Sequence, residues 1–284
     1  MAEPATAGRT DPNAVYPLGC SAGESSRLQR QAEELLAANA VLLDRTPLGP
    51  GDAAIDLGCG PRGILDLLAQ RVGPSGRVVG MDADPTHVAM AAELIATRKL
   101  DNVEVLRGDA RNTGFASLSF DVVHARALLV NVPEPAEVVG EMVRLAKPGG
   151  WVLSFEPDCE LSVCYPANPA YQRLLDMFAP VVTRNGADVI IGRRVAELYR
   201  GAGLADVQVE VLAEVYPHGH TRRSVLVDMI RSMRPHVLEL GFATEEELEQ
   251  LFADALSHLD NPDTVVMPFI FFLVSGRKLP LGVC

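Results

Sequence analysis

The hydrophobic rhythm of the chain changes several times, and each change marks an element. From Ser21 the apolar positions Leu28, Leu35, Leu36, Ala38 and Leu42 recur at close to helical spacing, and Ser21-x-x-Glu24 spells a capping box. The pattern predicts one long amphipathic helix that ends before Pro47. Short apolar runs then alternate with helical stretches, as in β-α units that feed a parallel sheet with helices on both faces. Strands are expected near residues 53–57, 77–82, 103–107, 120–125 and 151–156, with helices near 63–71, 85–97 and 135–145. Asp84-Pro85 marks a helix start, since Asp caps an N-terminus and Pro suits the first turn. Lys147-Pro148-Gly149-Gly150 reads as a turn before the fifth strand.

Beyond that strand the rhythm loosens into a helix near 193–202, a strand near 207–215 and a final apolar run at 269–275. Two inserted segments interrupt it, at about 159–190 and 218–266. Insertions at one edge of a sheet cover a ligand site or shield apolar surface, and a cap over a site is the expectation here. Residues 1–14 are small and polar without periodicity and are expected to be loose. The chain is therefore divided into a tail and helix at 1–45 and a single capped unit at 46–284.

At 284 residues and 48% hydrophobic composition the chain can bury a sizeable core. No apolar run reaches the roughly 18–20 residues of a membrane helix, and the first residues lack the pattern of a signal peptide, so a cytoplasmic location is expected. The cysteines, Cys20, Cys59, Cys159, Cys164 and Cys284, are odd in number and scattered without CxxC spacing, which suggests reduced thiols. With 25 basic against 37 acidic residues and no long basic run, the net charge of −12 argues against nucleic acid as a partner.

Candidate chemistry centres on "DLGCGPRG", residues 56–63, which places Gly58, Gly60 and Gly63 at G-x-G-x-x-G spacing after the first predicted strand. In a doubly wound sheet this turn faces the crevice, and glycines let a ligand approach the backbone. Alone the spacing is a weak signal of a dinucleotide site. Asp56 changes the picture, because a carboxylate there repels phosphate and favours a cation. S-adenosylmethionine (SAM), with a sulfonium and an α-ammonium but no phosphate, fits both features. Gly63 is then left with no role beyond helix packing.

The segment "AIDLGCGPRG" resembles the first motif of class I SAM-dependent methyltransferases. "VVGMDAD", with Asp82 and Ala83, resembles the family's second-strand motif, whose acid binds the ribose hydroxyls. "LRGDARN" resembles the third, in which Asp109 would accept from the adenine amino group and Ala110 would offer its amide. "FDVVHAR" and "LAKPGGWVLSFEPD" resemble the fourth- and fifth-strand segments. The matches run in order from about 53 to 158 and are nearest in character to the ubiquinone and menaquinone C-methyltransferases. The resemblance implies an α/β fold: a Rossmann-like, doubly wound, seven-stranded sheet whose last strand, at 269–275, is antiparallel, with an N-terminal helix and a helical cap. It also implies SAM contacts from Asp56, Gly58, Cys59 and Gly60.

Alternatives stay open for each acid: Asp56 capping a helix or binding backbone amides, Asp82 ending a strand, Asp109 forming a turn. Arg126 either meets the cofactor's carboxylate or pairs with Asp56 or Asp109. "YPLGCSAGESSRLQRQ" resembles a segment of some small-molecule members, which would bring Tyr16, Arg27 and Gln31 to the methionine end; a solvated helix face is the other reading.

Methyl transfer is an in-line displacement, so the protein has to position the acceptor and exclude water. A base is needed only for an acceptor that is protonated at working pH, and His124, Glu156, Asp158, His218 and His220 are the candidates, each with a structural alternative. His218-Gly219-His220 has no third ligand at a suitable spacing, so no metal is expected. Tyr165, Tyr171, Met177, Phe178, Met229, Met233 and Phe242 read first as cap core; any that face the crevice favour an apolar, aromatic or isoprenoid-like acceptor. The expectation is methyl transfer to carbon, nitrogen or oxygen of a small metabolite, secondary metabolism being one setting, by a chain for which a homodimer is compatible. The rivals are a SAM-binding protein without transfer and an NAD-dependent oxidoreductase; Asp56 and the missing hydride-transfer residues count against the second.

Overall fold

The computed structural model describes residues 22–280 apart from residue 185. Seven strands form one sheet in the order β3-β2-β1-β4-β5-β9-β7: β1 (Ala53–Leu57), β2 (Arg77–Asp82), β3 (Val103–Arg107), β4 (Phe120–Arg126), β5 (Ala146–Asp158), β7 (Ala205–Leu212) and β9 (Ile270–Arg277). β9 is the antiparallel member, inserted between β5 and β7. A separate ribbon pairs β6 (Val163–Tyr165) with β8 (Val265–Met267).

Helices cover both faces because each face of a parallel sheet must be kept from water. α2 (Leu36–Leu43), α3 (Leu65–Val72) and α4 (Pro85–Arg98) bury Leu42, Leu43, Leu68, Val72 and Ala91 with the side chains of one face. α5 (Pro135–Leu145) and α7 (Ile191–Gly201) bury Val138, Met142, Ile191, Val195 and Tyr199 with those of the other. Asp84 caps α4 as expected, accepting from the N–H groups of Thr86 and His87 at 2.7 and 3.1 Å.

Two expectations change. The single N-terminal helix is two, α1 (Ala22–Glu34) and α2, broken at buried Leu35, whose carbonyl accepts from Asn39 Nδ2 at 2.8 Å. Ser21, the first residue of the expected capping box, lies outside the described residues. β5 begins at Ala146, so residues 147–150 lie in the strand rather than in a turn, with a register irregularity against Phe120 and Val122 of β4. Gly150 permits this: a Cβ there would stand 3.0 Å from the Asp121 carbonyl oxygen and 2.9 Å from that of Lys147.

The two insertions build one cap. α6 (Pro169–Thr183) from the first packs with α8 (Val225–Ser232), α9 (Arg234–Glu239) and α10 (Glu245–Leu259) from the second. Leu174, Phe178, Leu226, Ile230, Leu248 and Phe252 form a common core, and β6–β8 ties the segments by backbone pairing. Among the described residues no helix is long and apolar enough to cross a membrane.

α7 lies unusually close to β5. A Cβ on Gly192 would stand 2.8 Å from the backbone oxygens of both Glu156 and Pro157. Gly192→Ala therefore has to push the helix off the sheet, and an overpacking loss of about 1–3 kcal/mol is expected in urea unfolding; unchanged stability would show that α7 shifts freely.

Candidate active site

The loop after β1 is fastened from beneath by Asp56. In register Asp56 lies between Gly80 of β2 and His124 of β4, so its side chain emerges inside the protein and is 1% exposed. Oδ1 lies 2.7 Å from Nδ1 of His124, and Oδ2 accepts the N–H of Ile64 at 3.0 Å. The loop then returns over the carboxylate through Gly63, whose φ of 57° is left-handed. A Cβ there would meet Asp56 Oδ2 at 2.3 Å, so Gly63 is required by close approach and is not incidental. Asp56 does not line the cavity, so the expected contact between this carboxylate and a cationic ligand is corrected: the oxygens already serve an imidazole and a backbone amide.

The rest of the loop faces the cavity. Gly58 and Gly60 line it with φ of 66° and 59°, and a Cβ on Gly60 would meet nothing within 4 Å. Cys59 lines it too, with its N–H on the Met81 carbonyl and its thiol pushed up by burial beside Asp82 and Asp56. Asp82, at the end of β2, accepts from Gly60 N–H at 2.7 Å and from Asp84 N–H at 2.9 Å, one bond on each oxygen. A carboxylate has about four lone-pair sites, so both oxygens retain accepting capacity toward the cavity.

Ala83, Asp109 and Ala110 continue the same wall. Asp109 carries a forked pair from Arg111, with Nε at 3.1 Å from each oxygen and Nη2 at 2.9 Å from Oδ2, so an adenine amino group would have to share it. Arg27 and Gln31 of α1 line the opposite side, joined by a bond of 2.7 Å from Nη1 to Oε1. Tyr16 lies outside the described residues. Arg126 ends β4 in the wall; its Nη1 is buried without a hydrogen-bond partner, and no ion pair with Asp56 or Asp109 is present. Burial pulls this guanidinium down from its ordinary range.

None of the five candidate bases lines the cavity. His124 is fully buried against Asp56. Glu156, also fully buried, accepts from the N–H groups of Leu128 and Leu129 at 3.0 Å and of Val130 at 3.2 Å, shaping the turn after β4. Asp158 is buried and paired with Arg193. His218 is exposed and 3.3 Å from Asp260. His220 accepts the Arg222 N–H at 3.1 Å and stacks on Tyr216. As catalytic candidates they are corrected on one ground: each is committed to a local structural contact away from the cavity.

The far end of the cavity is apolar, formed by Phe178, Val182, Val225 and Met229 of the cap with Phe269 and Phe271. Of the cap residues singled out in the sequence, Phe178 and Met229 reach it. Tyr171, Met177 and Met233 are cap core, Phe242 packs beside them, and Tyr165 is exposed. Arg222 was not legible as a site residue, although its sequence neighbour separates the two cleanly. Arg223 spends its guanidinium on the carbonyls of Leu259, Tyr216 and Asn261, whereas Arg222 lines the cavity with Nε and Nη1 buried and unbonded.

Residues 48–179 match the family model described as a methyltransferase domain. This match falls on the first five strands of the sheet, the glycine loop and the acids just described. This segment of the chain belongs with the methyltransferase domains. It is 34% identical over 187 residues to an uncharacterized 37.1 kDa protein in transposon TN4556 of Streptomyces fradiae, covering 66% of this chain and 53% of that protein. The chain thus spans about half the length of that relative. To the demethylmenaquinone methyltransferase of Halalkalibacterium halodurans it is 28% identical over 186 residues, 59% of this chain and 74% of that one. The fold is shared with a SAM-dependent methyltransferase of Aquifex aeolicus, with a TM-score of 0.53 at 17% identity over 90% of this chain and 98% of that one.

Two outcomes follow from these buried acids. Asp56→Ala leaves the Ile64 N–H and the His124 ring without their partner, at about 1–3 kcal/mol for each buried group; the loss is expected in thermal unfolding of the ligand-free protein, where an acid serving only a ligand would show none. Burial pushes the Glu156 carboxyl up to about 8, outweighing the three backbone N–H bonds that favour its ionised form. From the ordinary value of 4.5 up to about 8 the folded state holds a proton that the unfolded state has lost, so stability falls as pH rises through that window. Glu156→Gln should remove this slope from the difference between pH 5 and pH 8 denaturation midpoints, and a slope that persists in the variant would assign it elsewhere.

Proposed function

We propose that the protein binds SAM in the cavity and transfers its methyl group to an apolar small molecule. The observation that carries this reading is the pairing, in one cavity, of an open glycine turn and a partly unfilled acid at Asp82 with an apolar chamber on the cap side. The residues fit the cofactor. Gly58, Cys59 and Gly60 let it approach the backbone, Asp82 and Ala83 take the ribose end, and Asp109 and Ala110 take the adenine. Arg126 has an unbonded buried Nη1 for the methionine carboxylate, with Arg27 and Gln31 beside it.

SAM supplies the electrophilic carbon. What this chain adds is placement and dryness: Glu156 fixes the turn whose Leu128 and Val130 line the cavity, and the cap closes the acceptor's side with Phe178, Met229, Phe269 and Phe271. The cap-side chamber offers Cys159 as its titratable thiol, which burial pushes far up and keeps protonated. Among the described residues of that chamber none is therefore suited to remove a proton, and an acceptor that presents a free lone pair or arrives ionised fits it. Carbon, nitrogen and oxygen remain open as the methylated atom.

Relatives named as demethylmenaquinone methyltransferases support an apolar acceptor of this kind. We further assign 1–45 as tail and helix and 46–284 as the capped catalytic unit, in a cytoplasmic protein that acts without nucleic acid, as monomer or homodimer.

Calorimetric titration of the full chain with SAM, S-adenosylhomocysteine and NAD tests the reading, and binding of NAD alone overturns it. Labelled SAM with a panel of apolar acceptors then distinguishes transfer from binding. Asp82→Ala is expected to weaken SAM by about 1.5–3 kcal/mol, the range for bonds to a charged group, with Asp82→Asn losing less; an unchanged affinity removes Asp82 from the cofactor's contacts.

A further inference from the structure

The cavity wall holds more unbonded guanidinium nitrogens than SAM can answer. Arg222 belongs to a short 3-10 turn, Thr221–Ser224, at the start of the second cap segment, and is only 4% exposed. Its guanidinium carbon stands 5.4 Å from the Tyr216 ring centre and 5.5 Å from that of Phe271, which hold the plane in place. Nε and Nη1 are nevertheless buried without a hydrogen bond. The nearest carboxylate is Glu34, 3.6 Å from Nη1 and beyond hydrogen-bond reach, with its other oxygen on the Thr221 hydroxyl. A buried donor without a partner costs free energy, so an arginine held this way is built for a group that arrives.

The acids that line the cavity have protein partners, Asp82 with accepting capacity to spare. Asp84 caps α4, Asp109 is forked by Arg111, and Asp82 holds the glycine loop. Arg126 feels the negative charge of Asp56 and, against it, the positive charge of both Arg62 and Arg222. Arg62 is answered by Glu33 and Asp66 and Arg222 is paired at 3.6 Å with Glu34, yet Arg126 and Arg222 both keep buried N–H groups without a hydrogen-bond partner among the described residues. SAM brings one carboxylate but also an ammonium and a sulfonium, so its binding adds net positive charge and can neutralise one arginine at most.

Sheet order says which one. The glycine turn follows β1, and Arg126 ends the adjacent strand β4. Phe271, under Arg222, lies on β9, two strands beyond β4, about 10 Å away at the usual strand spacing and on the apolar side of the cavity. Resting on the methyltransferase reading above, we infer that Arg222 is the recognition site for an anionic oxygen on the methyl acceptor, which is therefore an apolar acid. Such a molecule puts its hydrocarbon against Phe178, Met229 and Phe269 and its charge against the unbonded Nε and Nη1.

The test uses the full chain saturated with S-adenosylhomocysteine, titrated calorimetrically with benzoate, 1-naphthoate, 2-naphthoate and their methyl esters. At least one acid is expected to bind about 10-fold or more tighter than its ester, as a charge-assisted bond requires. Arg222→Gln should bring acid and ester within about twofold of each other while S-adenosylhomocysteine affinity stays within about twofold of the parent. Arg222→Lys, which keeps the charge but loses the fork, should retain part of the preference and guards against a variant that simply fails to fold. The inference is overturned if every acid binds no better than its ester. It is equally overturned if Arg222→Gln weakens S-adenosylhomocysteine as much as Arg126→Gln does, since both arginines then serve the cofactor. Failure of S-adenosylhomocysteine to bind the parent protein would instead remove the methyltransferase reading, and the same acid and ester titrations on the free protein would still read Arg222.

Discussion

A carboxylate taken out of water must find donors, and the search by Asp56 for its donors organises the site. One oxygen meets the His124 ring on the neighbouring strand and the other meets the Ile64 N–H at the start of α3, so a single side chain joins β1, β4 and the helix after the turn. The backbone between can close this tightly only because position 63 has no Cβ. Once the turn is closed, Gly60 N–H falls on Asp82, and the ends of β1 and β2 become one rigid wall. A low local dielectric makes each of these bonds stronger and each loss more costly. The acid thus shapes the place where a ligand meets the backbone without touching the ligand.

The same logic repeats on β5. Glu156 gathers three successive N–H groups from the turn after β4, which Ala127 enters in the left-handed region at φ 48°. That turn carries Leu128 and Val130 into the cavity, between the glycine loop and the cap. Two buried acids at strand ends therefore set two adjacent loops, and the cavity is what lies between them. Neither acid faces solvent or lines the cavity, which separates both from the usual picture of a general base.

Much of the sheet was legible in the sequence, because periodicity is a local signal: β1, β2, β3 and α5 begin and end where the apolar runs do. The misjudged places depend on contacts distant in sequence. Gly149 and Gly150 read as a turn, yet their backbone is drawn into β5 by the close approach of Asp121. At the site, spacing brought Gly58, Gly60, Asp82, Asp109 and Arg126 to one cavity, since each follows a strand of a parallel sheet. Spacing said nothing about the direction of side chains. Asp56 and His124 look inward because their register positions are neighbours across β1 and β4, a fact of pairing that no single segment contains.

Arg222 shows the limit most sharply. In sequence it is one of two adjacent arginines beside two histidines, and the histidines look like the chemistry. In the fold His220 takes the Arg222 N–H and stacks on Tyr216, while Arg223 clamps three carbonyls of the cap. These contacts fix the backbone of a short turn from below, and the neighbouring side chain is left to point the other way, over Phe271 and into the cavity. The residues that resemble a site thus act as a mounting for Arg222, whose Nε and Nη1 are left without a hydrogen bond among the described residues. Because the cap carries that charge and the sheet carries the acids, substitutions in the cap segments can reshape the apolar chamber without disturbing the wall built by the glycine turn and the acids.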